Sequence, residues 1–202
     1  NITTPVIRAL EEQGVLAVET ERVFRTPLKQ AQQQAQEITY TPEQRNVISR
    51  FRQDYGAGER CTYLIHGVTG SGKTEVYMEM IHTVVEQGKQ AIVLIPEIAL
   101  TYQTVIRFYR RFGDRVAIMN SRLSAGERYD QMMRAKAGQV DVMIGPRSAL
   151  FTPFPDLGLI VIDEEHEPTY KSEQTPRYHA RETAIQRAKM ENASVVLGSA
   201  TP

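Results

Sequence analysis

Gly67-Val68-Thr69-Gly70-Ser71-Gly72-Lys73-Thr74, residues 67–74, fits the pattern G-x-x-x-x-G-K-T without a mismatch. An apolar, strand-like run, Tyr63 to His66, leads into it, and a helix-like run, Glu75 to Gln87, follows. Strand, glycine-rich loop and helix together make the pattern a phosphate site rather than a chance turn. Gly67, Gly70 and Gly72 let the backbone bend so that the N–H groups of the loop, Val68, Thr69 and Ser71 included, converge on an anion. The helix N-terminus adds positive potential. Lys73 is placed to reach the β- and γ-phosphates, and the Thr74 hydroxyl to hold Mg²⁺.

A second motif lies about ninety residues on. Leu159-Ile160-Val161-Ile162 is apolar on both faces and ends in Asp163-Glu164-Glu165-His166. In open α/β sheets the ligand lies beyond the carboxyl ends of the strands, so these acids are expected to face the glycine loop. Asp163 is then positioned to bind Mg²⁺, directly or through water. Glu164 is positioned to orient and deprotonate the water that attacks a γ-phosphate. Lys73, Asp163 and Glu164 are the expected catalytic residues.

Around these motifs the chain alternates between strand and helix signals. Strands are expected near 62–66, 90–95, 115–119, 140–144, 158–162 and 194–198, and helices near 74–87, 102–112, 124–137 and 180–190, with Gly88, Gly113 and Gly138 at their C-terminal caps. Runs such as Ala91-Ile92-Val93-Leu94-Ile95 suit central parallel strands covered on both sides. The expected fold is therefore α/β, a P-loop nucleotide-binding lobe with a central, mainly parallel sheet. Thr41-Pro42-Glu43-Gln44 opens a further helix as a capping box.

Residues 1–40 read differently. Thr3-Thr4-Pro5 starts a helix that Gly14 ends, and Val15 to Phe24 alternates in part like an exposed strand. A short helix before a strand pair fits the back half of a winged-helix domain and also many domains that never meet DNA. Gln30, Gln32, Gln33, Gln34 and Gln36 then mark a linker. The expected division is 1–25, 26–40 as linker, and 41–202 as the nucleotide-binding lobe.

Composition sets outer limits. The 202 residues suit one sizeable core or one domain and part of another. Formal charge is balanced, so net charge does not advertise a nucleic-acid partner. One cysteine, Cys61, supports neither a disulfide framework nor a zinc site and is expected to be a small buried side chain. No apolar run approaches membrane-spanning length and no signal peptide is visible, which suits a cytoplasmic setting. The absence of an N-K-x-D motif argues against a guanine-specific switch. A start at Asn1 and a stop at Pro202, straight after an apolar run, suggest a fragment of a longer protein.

The motifs together narrow the family. Asp163-Glu164-Glu165-His166 is a D-E-x-H box, and Gly198-Ser199-Ala200-Thr201 matches the S-A-T motif of superfamily 2 helicases. Pro96 to Thr101 and Gly145 to Phe151, with Arg147 and Ser148, resemble the strand-contacting segments of that superfamily. Residues 61–202 closely resemble the first, RecA-like helicase lobe of the primosomal replication-restart DNA helicases. His66 to Tyr77, Asp163 to Lys171 and Arg177-Tyr178-His179-Ala180-Arg181 carry that resemblance most specifically.

The resemblance implies several properties. The parent would use ATP and Mg²⁺ to move 3′ to 5′ on single-stranded DNA, act at forked DNA, restart stalled forks and assemble a primosome with single-strand-binding and other primosome proteins. It would be a monomer associated with the nucleoid. Residues 1–25 would be the end of a winged-helix domain, and zinc would be held only beyond residue 202. A second lobe would supply an arginine to the ATP site. Gln44 falls where such helicases place a glutamine that reads adenine, although its capping-box role competes for the same side chain. His166, Ser199, Ala200 and Thr201 would relay the nucleotide state to DNA.

The stretch Tyr170 to Arg181 resembles the aromatic-rich loop of that family. Its rings, Tyr170, Tyr178 and His179, beside the cations Lys171, Arg177 and Arg181, suit stacking on bases and holding phosphates of a single strand. Pro176 stands where some members have an aromatic residue, and Met119-Asn120-Ser121 departs from the His that commonly precedes that serine. The basic excess over 105–140 reads mainly as solvated helix faces.

Overall fold

The computed structural model describes residues 4–17 and 39–200. The first piece holds one helix, α1 (Thr4–Glu12), after which Gly14 turns the chain at φ +69°. The strand expected over 15–24 lies outside the described residues from 18 onward, and so does the linker through residue 38.

Residues 39–200 alternate helix and strand as the sequence pattern requires. In order they are α2 (Pro42–Gly56), β1 (Thr62–His66), α3 (Lys73–Glu86), β2 (Gln90–Leu94), α4 (Tyr102–Phe112), β3 (Val116–Ile118), α5 (Ala125–Lys136), β4 (Val142–Gly145), β5 (Leu157–Ile162), α6 (Ala180–Glu191) and β6 (Ser194–Ser199). The strands form one sheet in the order β1-β6-β5-β2-β4-β3, every pair parallel. The mainly parallel sheet expected from the sequence is thus entirely parallel. Parallel pairing needs a crossover between successive strands, and each crossover here carries residues that cover one face of the sheet.

Side-chain alternation along the strands builds two cores. Ala91, Val93, Ile144, Leu159, Val161 and Val196 face α2, α3 and α4. Ile92, Leu94, Met143, Ile160, Ile162 and Val195 face α6 and the turn at 147–151. The central strands β2 and β5 are buried along their whole length, as two-sided covering demands. β1 is an outer strand, alternately exposed and half-buried, and Cys61 before it, expected to be buried, is half-buried.

One ion network ties the first core together. Glu79 on α3 accepts the Tyr40 hydroxyl at 2.9 Å and pairs with Arg52 of α2 and Arg111 of α4. Burial pushes its carboxyl up, but the Tyr40 hydrogen bond and the two guanidiniums outweigh burial and hold it below its ordinary 4.5. A carboxylate lowered on folding stabilises fully above the unfolded value and less as pH falls through the folded one. Glu79→Gln is therefore expected to melt below wild type near neutral pH, with the gap narrowing once pH drops under 4.5. Thermal scans across that range check this, and a pH-independent gap would overturn it.

Candidate active site

Because every strand runs the same way, all six carboxyl ends lie along one edge of the sheet. β1, β6 and β5 deliver the loop at 67–73, Ser199 and Asp163 to one half of that edge. β2, β4 and β3 deliver Pro96, Pro146 and Met119-Asn120 to the other half.

The first half is the phosphate loop. Gly70 and Gly72 both sit at φ +81°, a conformation that L side chains rarely adopt. A Cβ at Gly72 would also lie 2.5 Å from the Gln44 amide nitrogen. The helix after the loop, α3, starts at Lys73 and has no side-chain cap, so its first-turn N–H groups are left for an anion. The buried Lys73 ammonium donates to the Gly67 carbonyl at 2.6 Å and lies 3.5 Å from a Glu164 oxygen. The loop is anchored to β6 by the Gly67 N–H donating to the Ser199 carbonyl at 3.0 Å.

The acidic turn faces this loop. Glu164 has φ +49°, a left-handed conformation that costs a non-glycine residue about 1–3 kcal/mol and persists only where surroundings impose it. Its carboxylate lies between Lys73 and His166, 3.7 Å from the His166 Nε2, while His166 Nδ1 is 3.4 Å from the Ser199 hydroxyl. Asp163 meets the Tyr77 hydroxyl at 3.3 Å. Burial, and then the neighbouring Glu164 charge, push the Asp163 carboxyl up from its ordinary value, with Lys73 opposing them. Burial and the Asp163 charge also push the Tyr77 phenol up, so it remains a donor. A half-buried carboxylate, beside an ammonium and uncapped N–H groups, is the donor set that a Mg²⁺-bound phosphate chain would complete. The residues present fit such a group, with Thr74 and Asp163 on the metal side and the loop on the phosphate side.

Gln44 combines two structural roles. Its side-chain oxygen accepts the Thr41 N–H at 2.9 Å, which closes the capping box of α2. Its amide nitrogen donates to the Ser71 carbonyl at 2.9 Å. Both ends of the amide are engaged, the oxygen with the cap of α2 and the nitrogen with the phosphate loop, so the capping-box alternative is the one formed here.

The other half of the edge is an open groove of about 400 Å³ lined by Pro96, Glu97, Asn120, Ser121, Arg128, Pro146, Arg147, Ser148, Thr169 and Tyr170. Glu97 accepts the Ser121 N–H at 2.9 Å, and the Asn120 side chain accepts N–H groups of Arg122 and Leu123. The turn at 119–121 is thus built by its own polar side chains.

The comparisons with known proteins agree with this geometry. Residues 29–202 match the family described as DEAD/DEAH box helicase. The chain belongs to the DEAD/DEAH box helicase family. Its curated relatives include the Replication restart protein PriA of Bacillus subtilis (strain 168), 47% identical over 201 residues, which are 99% of this chain and 25% of that protein. The same-named protein of Chlamydia pneumoniae is 47% identical over 162 residues, 80% of this chain and 22% of that one. That of Synechocystis is 44% identical over 200 residues, 97% of this chain and 23% of that one. The chain therefore spans about a quarter of the length of these relatives, and the resemblance to replication-restart helicases holds over nearly all of it. Two solved structures share its fold. RecG bound to a three-way DNA junction superposes with a TM-score of 0.63 at 24% identity, over 83% of this chain and 22% of that one. The Pyrococcus furiosus Hef helicase domain gives 0.55 at 18%, over 79% and 32%. The lobe is RecA-like.

Within this helicase lobe the residues expected to touch DNA divide. Ser148 is exposed in the groove, and Arg177 and Lys171 are exposed, the latter 3.2 Å from Glu173. Tyr178 is half-buried, its ring edge-on to Phe151 at 5.1 Å. One expectation needs correction, and three more residues are engaged within the protein. Tyr170 is 1% exposed, with its ring in the second core, so it has no face for a base. His179 caps α6, its Nδ1 accepting the Arg181 N–H at 3.3 Å, and Arg181 pairs with Glu165 at 2.8 Å. Arg147 lines the groove, yet one of its terminal nitrogens donates to the Thr169 and Lys171 carbonyls at 2.9 and 2.7 Å. Ala200 closes the described residues at the site edge, and Thr201 lies outside them. The sequence reading named Tyr77 only within the His66 to Tyr77 motif and Glu97 only within Pro96 to Thr101, without their contacts to Asp163 and Ser121. A polar tip on an otherwise apolar stripe is the signal that could have found the first. Over 105–140, Arg107, Arg111 and Arg115 pair with Glu75, Glu79 and Asp141, and Arg134 is buried against the Asp114 carbonyl.

Proposed function

We propose that this chain is the nucleotide-binding lobe of an ATP-dependent DNA helicase that moves 3′ to 5′ on single-stranded DNA and restarts stalled replication forks. The observation that carries the proposal is the Glu164 carboxylate 3.5 Å from Lys73, on the same sheet edge as an open groove lined by Arg128, Arg147 and Ser148. Lys73 and the loop N–H groups hold the β- and γ-phosphates, and Thr74 and Asp163 hold Mg²⁺, which neutralises phosphate charge when bound. Glu164 takes a proton from water as the water oxygen bonds to the γ-phosphorus and the bridge to ADP breaks. His166, between Glu164 and Ser199, is placed to report that event to the adjoining segment. The groove, Arg177 and Tyr178 take the strand, with phosphates held by cations and little sequence preference. Residues 1–25 belong to a winged-helix domain and 26–40 to a linker, and the parent is a monomer that works in the cytoplasm at the nucleoid with other primosome proteins.

The test compares the full-length protein with chain 1–202. Single-stranded or forked DNA is expected to stimulate ATP hydrolysis by the former. The latter is expected to turn ATP over about 10³–10⁵ more slowly, because an arginine from a second lobe is missing from its site. Stronger stimulation by RNA than by forked DNA would move the assignment to another helicase branch. Robust DNA-stimulated hydrolysis by 1–202 would refute the two-lobe site.

A further inference from the structure

The two halves of the carboxyl edge meet at one phenol. The Tyr170 hydroxyl lies 2.7 Å from the Asp163 carbonyl and 3.0 Å from the Leu94 carbonyl. Asp163 follows the strand that serves the phosphate half, and Leu94 ends the strand that serves the groove half. The Leu94 carbonyl also accepts the Asp163 N–H at 2.9 Å. The hydroxyl therefore holds the carbonyl of the peptide that joins Asp163 to Glu164, while the Leu94 carbonyl holds the N–H of the peptide before it. The Asp163–Glu164 peptide sets the direction in which the left-handed Glu164 leaves the strand, and so whether its carboxylate faces Lys73.

Tyr170 is held in turn from the groove side. The Arg147 guanidinium grips the carbonyls on both sides of it, Thr169 and Lys171. Those carbonyls are neutral acceptors. A phosphate oxygen is a charged one, and charge-assisted hydrogen bonds are roughly twice as strong. A phosphate in the groove therefore competes for Arg147 with the backbone that seats Tyr170.

Resting on the ATP-hydrolysis reading above, we infer that Tyr170 is a positioning residue whose hydroxyl aims the Asp163–Glu164 peptide at Lys73, and that Arg147 makes this hold respond to a strand in the groove. The ring alone would fill the core, so the hydroxyl is the part to remove. Tyr170→Phe keeps the ring and deletes the hydrogen bond.

The experiment uses the full-length protein, as wild type, Tyr170→Phe and Arg147→Ala. Hydrogen exchange is read over residues 163–167, and ATP turnover is measured as kcat and KM separately. Loss of one such hydrogen bond is expected to speed exchange at 163–167 in Tyr170→Phe by about three- to tenfold, with other segments unchanged. Its kcat is expected to fall by a similar factor while KM for ATP stays within about twofold. Adding a single-stranded thymidine oligonucleotide is expected to change exchange at 163–167 in wild type and to leave it unchanged in Arg147→Ala. Wild-type exchange over 163–167 in Tyr170→Phe would overturn the inference. Faster exchange spread over the whole lobe, or unchanged kcat, would also overturn it by reducing Tyr170 to a packing role. If wild type hydrolyses no ATP, the proposed function falls, and the exchange results still decide the positioning role.

Discussion

Exchanging Glu164 for Gln in the full-length protein is expected to slow ATP turnover by about 10²–10⁴, the usual contribution of a positioned general base, while ATP still binds. The geometry separates the two effects. Gln keeps the shape of the side chain and leaves the φ +49° backbone as it is. It also leaves Lys73 and the loop glycines to hold phosphate. What it removes is the carboxylate that sits between Lys73 and His166. Lys73→Ala should differ in kind. The Lys73 ammonium is buried and bonded to the Gly67 carbonyl, so its loss takes away both a phosphate contact and a brace of the loop. The expected result is weak ATP binding as well as lost turnover. Binding isotherms with single-turnover hydrolysis check the pair, and a Glu164→Gln protein turning over at the wild-type rate would sink the assignment of the base.

Gly198→Ala is expected to lower stability by about 3 kcal/mol, at the upper end for overpacking a filled core. A Cβ there would stand 1.7 Å from the Tyr77 hydroxyl and 2.8 Å from the ring carbon that bears it. Tyr77 is 1% exposed in the first core, so the ring has nowhere to retreat. For a lobe of this size the loss corresponds to roughly 6–12 °C in Tm. The double variant with Tyr77→Phe should recover part of it, since the nearest clashing atom is gone. Thermal unfolding of chain 1–202 and its variants checks both, and a Gly198→Ala chain melting with wild type would refute the packing argument. The same contact bears on chemistry. The hydroxyl that would be displaced is the one at 3.3 Å from Asp163.

The fold was legible because its signals are local. Apolar runs, cap glycines and the capping box at Thr41 gave helices and strands within a residue or two of those observed, and the two-sided apolar runs at 91–95 and 159–162 gave the sheet centre. The burial of Cys61 resisted because the approach to an outer strand and to a central one can carry the same apolar residues, and only the strand order tells them apart. The phosphate loop and the acidic turn were legible for the same local reason. The roles of Tyr170, Arg147 and Arg181 were not. A tyrosine and two arginines in a polar stretch read equally well as strand contacts or as braces. The choice depends on partners at Leu94, Thr169 and Glu165, which meet them only once the sheet has formed. Gln44 was left open between two roles for another reason. One amide has two ends, and the structure uses both.

The strand order has a further consequence, in time rather than in space. Among the described residues β1 pairs with β6 alone, and that pairing joins Thr62 to Val195, about 130 residues apart. A ribosome adding about 5–20 residues per second would need on the order of ten seconds to cover that distance. For that interval the Gly67 N–H has no Ser199 carbonyl to meet. The segment that cradles phosphate is thus made early and becomes rigid late, when β6 slides in between β1 and β5.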